Sequence, residues 1–183
     1  MRLETERKIT HLLFGTVIAL MVLTLRETLS LIVLGTCIAF GVVLSELMHH
    51  KKKHIPLISW FIRRMERERV KPGRGTIHFF LGCFIALAFF SSGIVFVAAL
   101  ILAFGDSFSA IVGKGIGRVR IYGSKTLEGT LAGFVASFLV SLPYLPIHTA
   151  ALACAAAALI ELFAFIDDNV VIPPVAAAVI AFA

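Results

Sequence analysis

Charge is scarce in this chain. Charged residues make up 15% of it and hydrophobic residues 59%, whereas a soluble domain carries about a quarter charged. That shortage excludes an ordinary soluble globular domain and points to an integral membrane protein. Tyrosine and tryptophan are also rare, two and one, against 16 phenylalanines. A lipid-facing surface suits that balance better than a wet core. The three cysteines, Cys37, Cys83 and Cys154, stand alone inside apolar runs. None has a metal or redox spacing, so each reads as a small buried hydrophobe. There is no Walker A motif and no dinucleotide fingerprint. The net charge of +6 has a topological reading here, because Lys and Arg collect in cytoplasmic loops. Nucleic acid is therefore not the expected partner.

What the chain has is long apolar runs. They fall at about 9–25, 29–48, 76–104, 127–142, 150–166 and 170–183. The first follows MRLETERK without a small-x-small cleavage site, so it reads as a mature helix rather than a leader. Thr76–Phe104 is too long for one crossing, about 43 Å as a helix against a hydrocarbon core of about 30 Å. Ser91-Ser92-Gly93 at its middle is a natural turn.

Charge decides that case. With a turn at 91–93 there are seven spans, the run dividing into 76–90 and 94–105. The N-terminus, the loops 49–75 and 106–126 and the Asp167-Asp168 turn then share one face. That face holds 16 of the 17 Lys and Arg, all but Arg26, and ten of the 11 Asp and Glu, all but Glu27. The positive-inside rule makes it cytoplasmic. The expected fold is thus an all-α integral membrane protein of about seven short transmembrane helices. Its N-terminus is cytoplasmic, and residues 1–183 form a single membrane-embedded catalytic domain. Within the basic stretch, IPLISWFI and its flank predict an interfacial amphipathic helix near 55–65, with Trp60 at the water–lipid boundary. The basic loop reads as a contact for anionic lipids.

One stretch breaks the apolar pattern, GDSFSAIVGKGIGRVRIYGSKTLEGTLAG at 105–133. A carboxylate at membrane depth is costly and marks function by default, which singles out Asp106. If its segment is helical, Ser109, Ala110 and Gly113 share its face, and that face is small. The glycines at 113, 115 and 117, with Lys114, read either as a mobile loop or as a phosphate cradle. Lys125 and Thr126 at the start of the next helix favour phosphate. A Lys there opposes the helix dipole unless an anion is bound. Glu128 stands three residues on, and Gly129 and Gly133 give a close-packing face. Asp167-Asp168-Asn169, with Glu161 upstream, reads either as a solvated acidic turn or as a second Mg²⁺ or nucleotide contact. Lys8 and His11 share a face of the first helix, as packed residues or as part of a site.

The same residues resemble a family. Asp106, Ser109-Ala110, Gly113, Gly117 and Lys125-Thr126-Leu127-Glu128-Gly129 match the nucleotide-binding block of the CTP-dependent polyprenol kinases: dolichol kinase, phytol kinase and the CTP-dependent diacylglycerol kinase. Arg7-Lys8 with His11 and Gly15, PGRGT at 72–76, and Glu161 with Asp168-Asn169 and Pro173 are shorter matching pieces. The resemblance implies a lipid alcohol kinase using CTP and Mg²⁺, working with an isoprenoid alcohol at the cytoplasmic face. It implies Asp106 and Asp168 as metal ligands. Ser109, Gly113, Lys114, Gly117, Lys125, Thr126 and Gly129 would bind nucleotide, and Asp106, Lys125 and Glu128 would be catalytic, Glu128 by positioning Lys125 or by taking the substrate hydroxyl proton. Lys8, His11, Glu161 and Asn169 would be accessory. Phosphatidate cytidylyltransferases and archaeal CDP-lipid synthases share a related block, so a cytidylyltransferase making a CDP-lipid is the alternative enzyme. A transporter or non-catalytic subunit would need charges deep in several spans or an inverted repeat, and the sequence shows neither.

Overall fold

The computed structural model describes residues 2–51, 73–163 and 167–183. Among the described residues seven helices run in chain order, with one hairpin between the fourth and fifth. They are α1 (Arg2–Thr24), α2 (Glu27–Lys51), α3 (Arg74–Phe89), α4 (Ser92–Gly115), β1 (Arg120–Tyr122), β2 (Lys125–Thr126), α5 (Leu127–Ser141), α6 (Ile147–Phe163) and α7 (Asp168–Phe182). The fold is that of an all-α membrane protein, as the composition implies. Residues Thr5–Thr24, Glu27–Leu47 and Ser92–Gly115 are long and apolar enough to cross a bilayer. The other four helices have 15 to 17 residues, roughly 22–26 Å of helix. Helices that short sit in a bilayer through local thinning or by packing inside protein. The interfacial helix expected near 55–65 lies outside the described residues.

The 76–104 run is two helices. α3 stops at Phe89, Ser91 is extended, and α4 begins at Ser92. A carboxylate meets the new N-terminus, where Glu27 Oε1 accepts the Ser92 N–H at 3.2 Å. A negative group there satisfies one orphan donor and complements the helix dipole. Glu27, the one acid that charge counting left on the far face, therefore has a structural task.

α4 is the axis of the bundle. It packs along α5, α1 and α7, and every residue from Val95 to Ala103 is buried. A helix apolar on all sides belongs in the interior. α1 and α2 instead expose large apolar side chains, among them Leu13, Val17, Ile32, Phe40 and Val43. These form a surface for lipid rather than water. α4 also runs on past the onset of polar sequence, to Gly115. Asp106 does not end it because a partner inside the bundle meets its charge.

Lipid tails give helices no hydrophobic reason to associate, so close packing of small residues does that work. Gly105, Ser109 and Gly113 on α4 face Gly129, Gly133 and Ser137 on α5, each set spaced by four. A methyl group at Gly133 would lie 2.7 Å from the Gly105 carbonyl oxygen and 2.9 Å from Ser109 Cβ. One at Gly129 would lie 2.7 Å from the Ser109 carbonyl oxygen. A different device joins α3 to α7. Pro173 and Pro174 lie inside α7, and lacking N–H groups they leave the carbonyls of Asn169 and Val170 unmatched. Gly82 lies against those two carbonyls, with no room for a Cβ.

Candidate active site

The polar residues gather at one end of the bundle around a cavity of about 460 Å³. α1 contributes Arg7, Lys8 and His11. The N-terminus of α3 contributes Arg74 and Gly75. α4 contributes Asp106, Ser109, Ala110, Gly113 and Lys114, its face of small side chains below the carboxylate. The hairpin contributes Ser124, Lys125 and Thr126, and the start of α7 contributes Asp167, Asp168 and Asn169. Five cations thus face three carboxylates, which leaves the cavity net positive. That balance suits an anion of several charges.

The cavity is built on two part-buried ion pairs. Lys8 Nζ lies 2.5 Å from Asp106 Oδ2, and His11 Nε2 lies 3.5 Å from the same oxygen. The Lys8 and Asp106 side chains are 14% and 8% exposed. The backbone follows them, since Ser107 Oγ donates to the Lys8 carbonyl at 3.1 Å. His11 packs edge-on against Phe79, ring centres 5.5 Å apart. Removing one partner of such a pair strands the other charge away from water, at about 3–5 kcal/mol.

The second pair is Lys125 Nζ with Glu161 Oε1, also 2.5 Å apart, Glu161 being 7% exposed. Ser109 Oγ donates to the same Glu161 oxygen at 2.6 Å. Glu161 thereby ties the hairpin to α4 from beneath the cavity floor. Burial pulls the Lys125 ammonium toward neutrality. The charge and hydrogen bond of Glu161 outweigh that pull, so its pKa lies above the ordinary lysine value. A raised folded-state pKa means that the charge is complete below the ordinary value. It is lost only as pH rises through the higher one. Anion binding that depends on Lys125 is therefore expected to show no loss on that side between pH 7 and 9, checked by nucleotide titration across that range.

The hairpin that carries Lys125 was not legible as strands. Arg120 pairs with Thr126 and Tyr122 with Lys125, with an irregular register between them. Gly123, at φ 55, turns the chain. The Leu127 N–H donates to the Val119 carbonyl at 2.8 Å, leading directly into α5. Thr126 is the N-cap of α5, its Oγ1 accepting the Gly129 N–H at 3.2 Å. Lys125 thus precedes the helix rather than beginning it.

Most of the residues singled out in the sequence meet in this cavity. Asp106, Ser109, Gly113, Lys114, Lys125, Thr126, Asp168, Asn169, Lys8 and His11 line it, with Glu161 beneath. Besides Glu161, Glu128, Gly117 and Gly129 also stand outside the lining. Glu128 is half-buried and accepts the Val119 N–H at 3.2 and 3.3 Å, one distance to each carboxylate oxygen. Gly117 lies against Gly113 and Thr126, and Gly129 against Ser109 and Gly113. These glycines work by close packing. Arg74 and Ser124 were not singled out. Arg74 is the last of nine Lys and Arg residues between 51 and 74, and its place at the start of α3 sets it in the cavity lining.

Mg²⁺ fits this donor set in one way. Among the described residues no three His, Cys, Asp or Glu side chains form a ready metal cluster. Mg²⁺ carried by phosphates needs only one or two protein carboxylates. Asp106 and Asp168 line the same cavity, and Asp168 feels the charges of Asp106 and Lys125.

Two proteins of known sequence are similar to the chain. It is 33% identical over 181 residues to the uncharacterized protein MJ1137 of Methanocaldococcus jannaschii, covering 97% of this chain and 92% of that one. It is 39% identical over 84 residues to the dolichol kinase of Saccharomyces cerevisiae. That second match spans 39% of this chain and 16% of the yeast protein. No family model matches the chain, and no solved structure matches it.

Proposed function

We propose, on the premise that this chain belongs to one family with the uncharacterized Methanocaldococcus jannaschii protein MJ1137, that it is a lipid alcohol kinase. It transfers the terminal phosphate of CTP to the hydroxyl of an isoprenoid alcohol at the cytoplasmic face of the membrane. One observation carries this reading above the rest: a net-positive cavity with paired carboxylates stands at one end of an otherwise apolar helical bundle. The partial similarity to dolichol kinase supports the reaction class, and the resemblance of the 105–133 block supports CTP as donor.

Phosphoryl transfer asks little covalent chemistry of a protein and much positioning and charge neutralisation. Lys8, Lys114, Lys125 and Arg74 are the cations placed for phosphate oxygens. Asp106 and Asp168 are the carboxylates placed for Mg²⁺, which when bound offsets phosphate charge. Glu161 fixes Lys125 from below, and Ser109 and Gly113 keep the α4 face low enough for phosphates to approach the backbone. The alcohol enters from the bilayer side, with its hydroxyl at the level of the cavity.

Two mutations test the assignment. Lys125→Ala is expected to weaken nucleotide binding by about 10–100-fold, the worth of one charge-assisted contact. Calorimetry or filter binding checks this, and unchanged affinity would count against the phosphate role. Glu128→Gln keeps an acceptor for Val119 and is expected to retain activity within about tenfold, because Glu128 acts on the hairpin rather than on the substrate. A loss as large as that of Asp106→Asn would place Glu128 in the chemistry after all.

A further inference from the structure

Beside the main cavity lies a second hollow of about 260 Å³, between α2 and α3. Val42, Ser45, Glu46, Arg74, Ile77 and His78 line it. Arg74 lines both hollows. His78 faces the second, while its partner Asp167 faces the first. His78 Nδ1 lies 2.8 Å from Asp167 Oδ2, and Arg74 Nε lies 3.9 Å from the same oxygen. A carboxylate and an imidazole thus bridge the wall between the net-positive cavity and its neighbour.

The second hollow has the makings of an amphiphile's end group site. Val42 and Ile77 are apolar, and Ser45, Glu46, Arg74 and His78 are polar. It is closed along the helices where Gly41 packs on Ile77, a Cβ there lying 2.9 Å from Ile77 Cγ1. The same helix α2 carries Phe40, Val43 and Leu47, which are exposed apolar residues. A single hydroxyl on an apolar chain matches that gradient.

We propose that this hollow seats the acceptor hydroxyl and that His78, oriented by Asp167, is the catalytic base. This rests on the kinase reading above and supplies the group that Glu128, outside the cavity, does not. Asp167 faces Nδ1, which leaves Nε2 as the proton acceptor. The ring and carboxylate are close but not aligned as a hydrogen bond, and catalytic hydrogen bonds commonly align only once substrate is bound. In the step, the acceptor oxygen bonds to the terminal phosphorus of CTP. The bond from that phosphorus to its bridging oxygen breaks, and the electron pair leaves on CDP. The hydroxyl proton passes to Nε2 and then to water.

The test uses the full chain in detergent micelles with CTP, Mg²⁺ and a polyprenol. His78→Gln is expected to lower kcat about 100-fold or more, the range of a lost general base, with nucleotide affinity unchanged within about twofold. Asp167→Asn is expected to lower kcat about tenfold, and Glu46→Gln, which alters a lining group that takes no proton in the step, to lower it less than His78→Gln does. Added imidazole is expected to restore part of the activity of His78→Ala, which a merely structural role would not allow. Full kcat in His78→Gln, or a larger loss in Glu46→Gln than in His78→Gln, overturns the assignment while leaving the kinase reading standing. Failure of the wild-type chain to phosphorylate any alcohol overturns both.

Discussion

Asp106→Asn is expected to lower phosphoryl transfer by at least about 100-fold, the scale of losing one preorganised electrostatic group at a reacting centre. Asp106 is the carboxylate on which α1 and α4 converge, with Lys8 at 2.5 Å and His11 at 3.5 Å. The change has two consequences that a single variant does not separate. It removes a charge proposed to hold Mg²⁺, and it leaves the Lys8 ammonium without its buried partner. The second effect alone is worth about 3–5 kcal/mol of stability. The double variant Lys8→Met/Asp106→Asn divides them. With both charges gone, nothing is stranded, and replacing a buried pair by apolar volume is often neutral or better. The double variant is therefore expected to melt near the wild type while remaining inactive. Thermal unfolding in detergent and a phosphorylation assay on the same preparations check this. Activity near wild type in either variant would remove Asp106 from the chemistry.

Gly133→Val is expected to have the largest effect on folding. Gly133 is the point where α5 rests on the backbone of α4. A Cβ there lies 2.7 Å from the Gly105 carbonyl oxygen, and that oxygen belongs to a helix that cannot move aside locally. Overpacking costs typically about 1–3 kcal/mol where side chains yield. Here only a shift of whole helices makes room, so the upper end or beyond is expected. Against a total stability of about 5–15 kcal/mol, that means a markedly lower melting temperature and poor accumulation in the membrane. Nucleotide binding falls with it, because Lys125 and Thr126 lead directly into α5. Gly93 is the control: a methyl group there meets nothing within 4 Å. Gly93→Ala is expected to leave the melting temperature unchanged or slightly raised. Equal behaviour of the two variants would mean that the α4–α5 crossing is not close-packed.

These two positions show how far the sequence could be read. Asp106 stood out because a carboxylate among apolar residues is expensive, and Gly133 because it stands four residues from Gly129. Both signals are local, and both survive folding. The helical face Asp106, Ser109, Ala110 and Gly113 follows from 3.6-residue periodicity once the segment is helical, and it does line the cavity. Partnerships were not legible. Lys8 and Asp106 lie 98 residues apart in the chain and Lys125 and Glu161 lie 36 apart. Nothing in local pattern pairs them. Sequence proximity suggested Glu128 as the partner of Lys125. The hairpin turns Lys125 inward to Glu161 and leaves Glu128 at the surface with Val119. That hairpin has only five residues in strands, too few for an alternating pattern to register. His78 was overlooked because an isolated histidine in an apolar run has no signature. Its spacing of four from Arg74, on one face of α3, is the trace that was there to find.

The fate of the nucleotide separates a lipid alcohol kinase from a cytidylyltransferase. The direct measurement is to incubate the purified chain with Mg²⁺, a panel of isoprenoid alcohols and diacylglycerol, and CTP labelled at either the α or the γ phosphorus, and then to separate lipid from aqueous products. Kinase activity is expected to put γ label in a phosphorylated isoprenoid alcohol and α label in free CDP. Label from the α position appearing in a CDP-lipid, with the γ label released in pyrophosphate, would contradict it and make the chain a cytidylyltransferase.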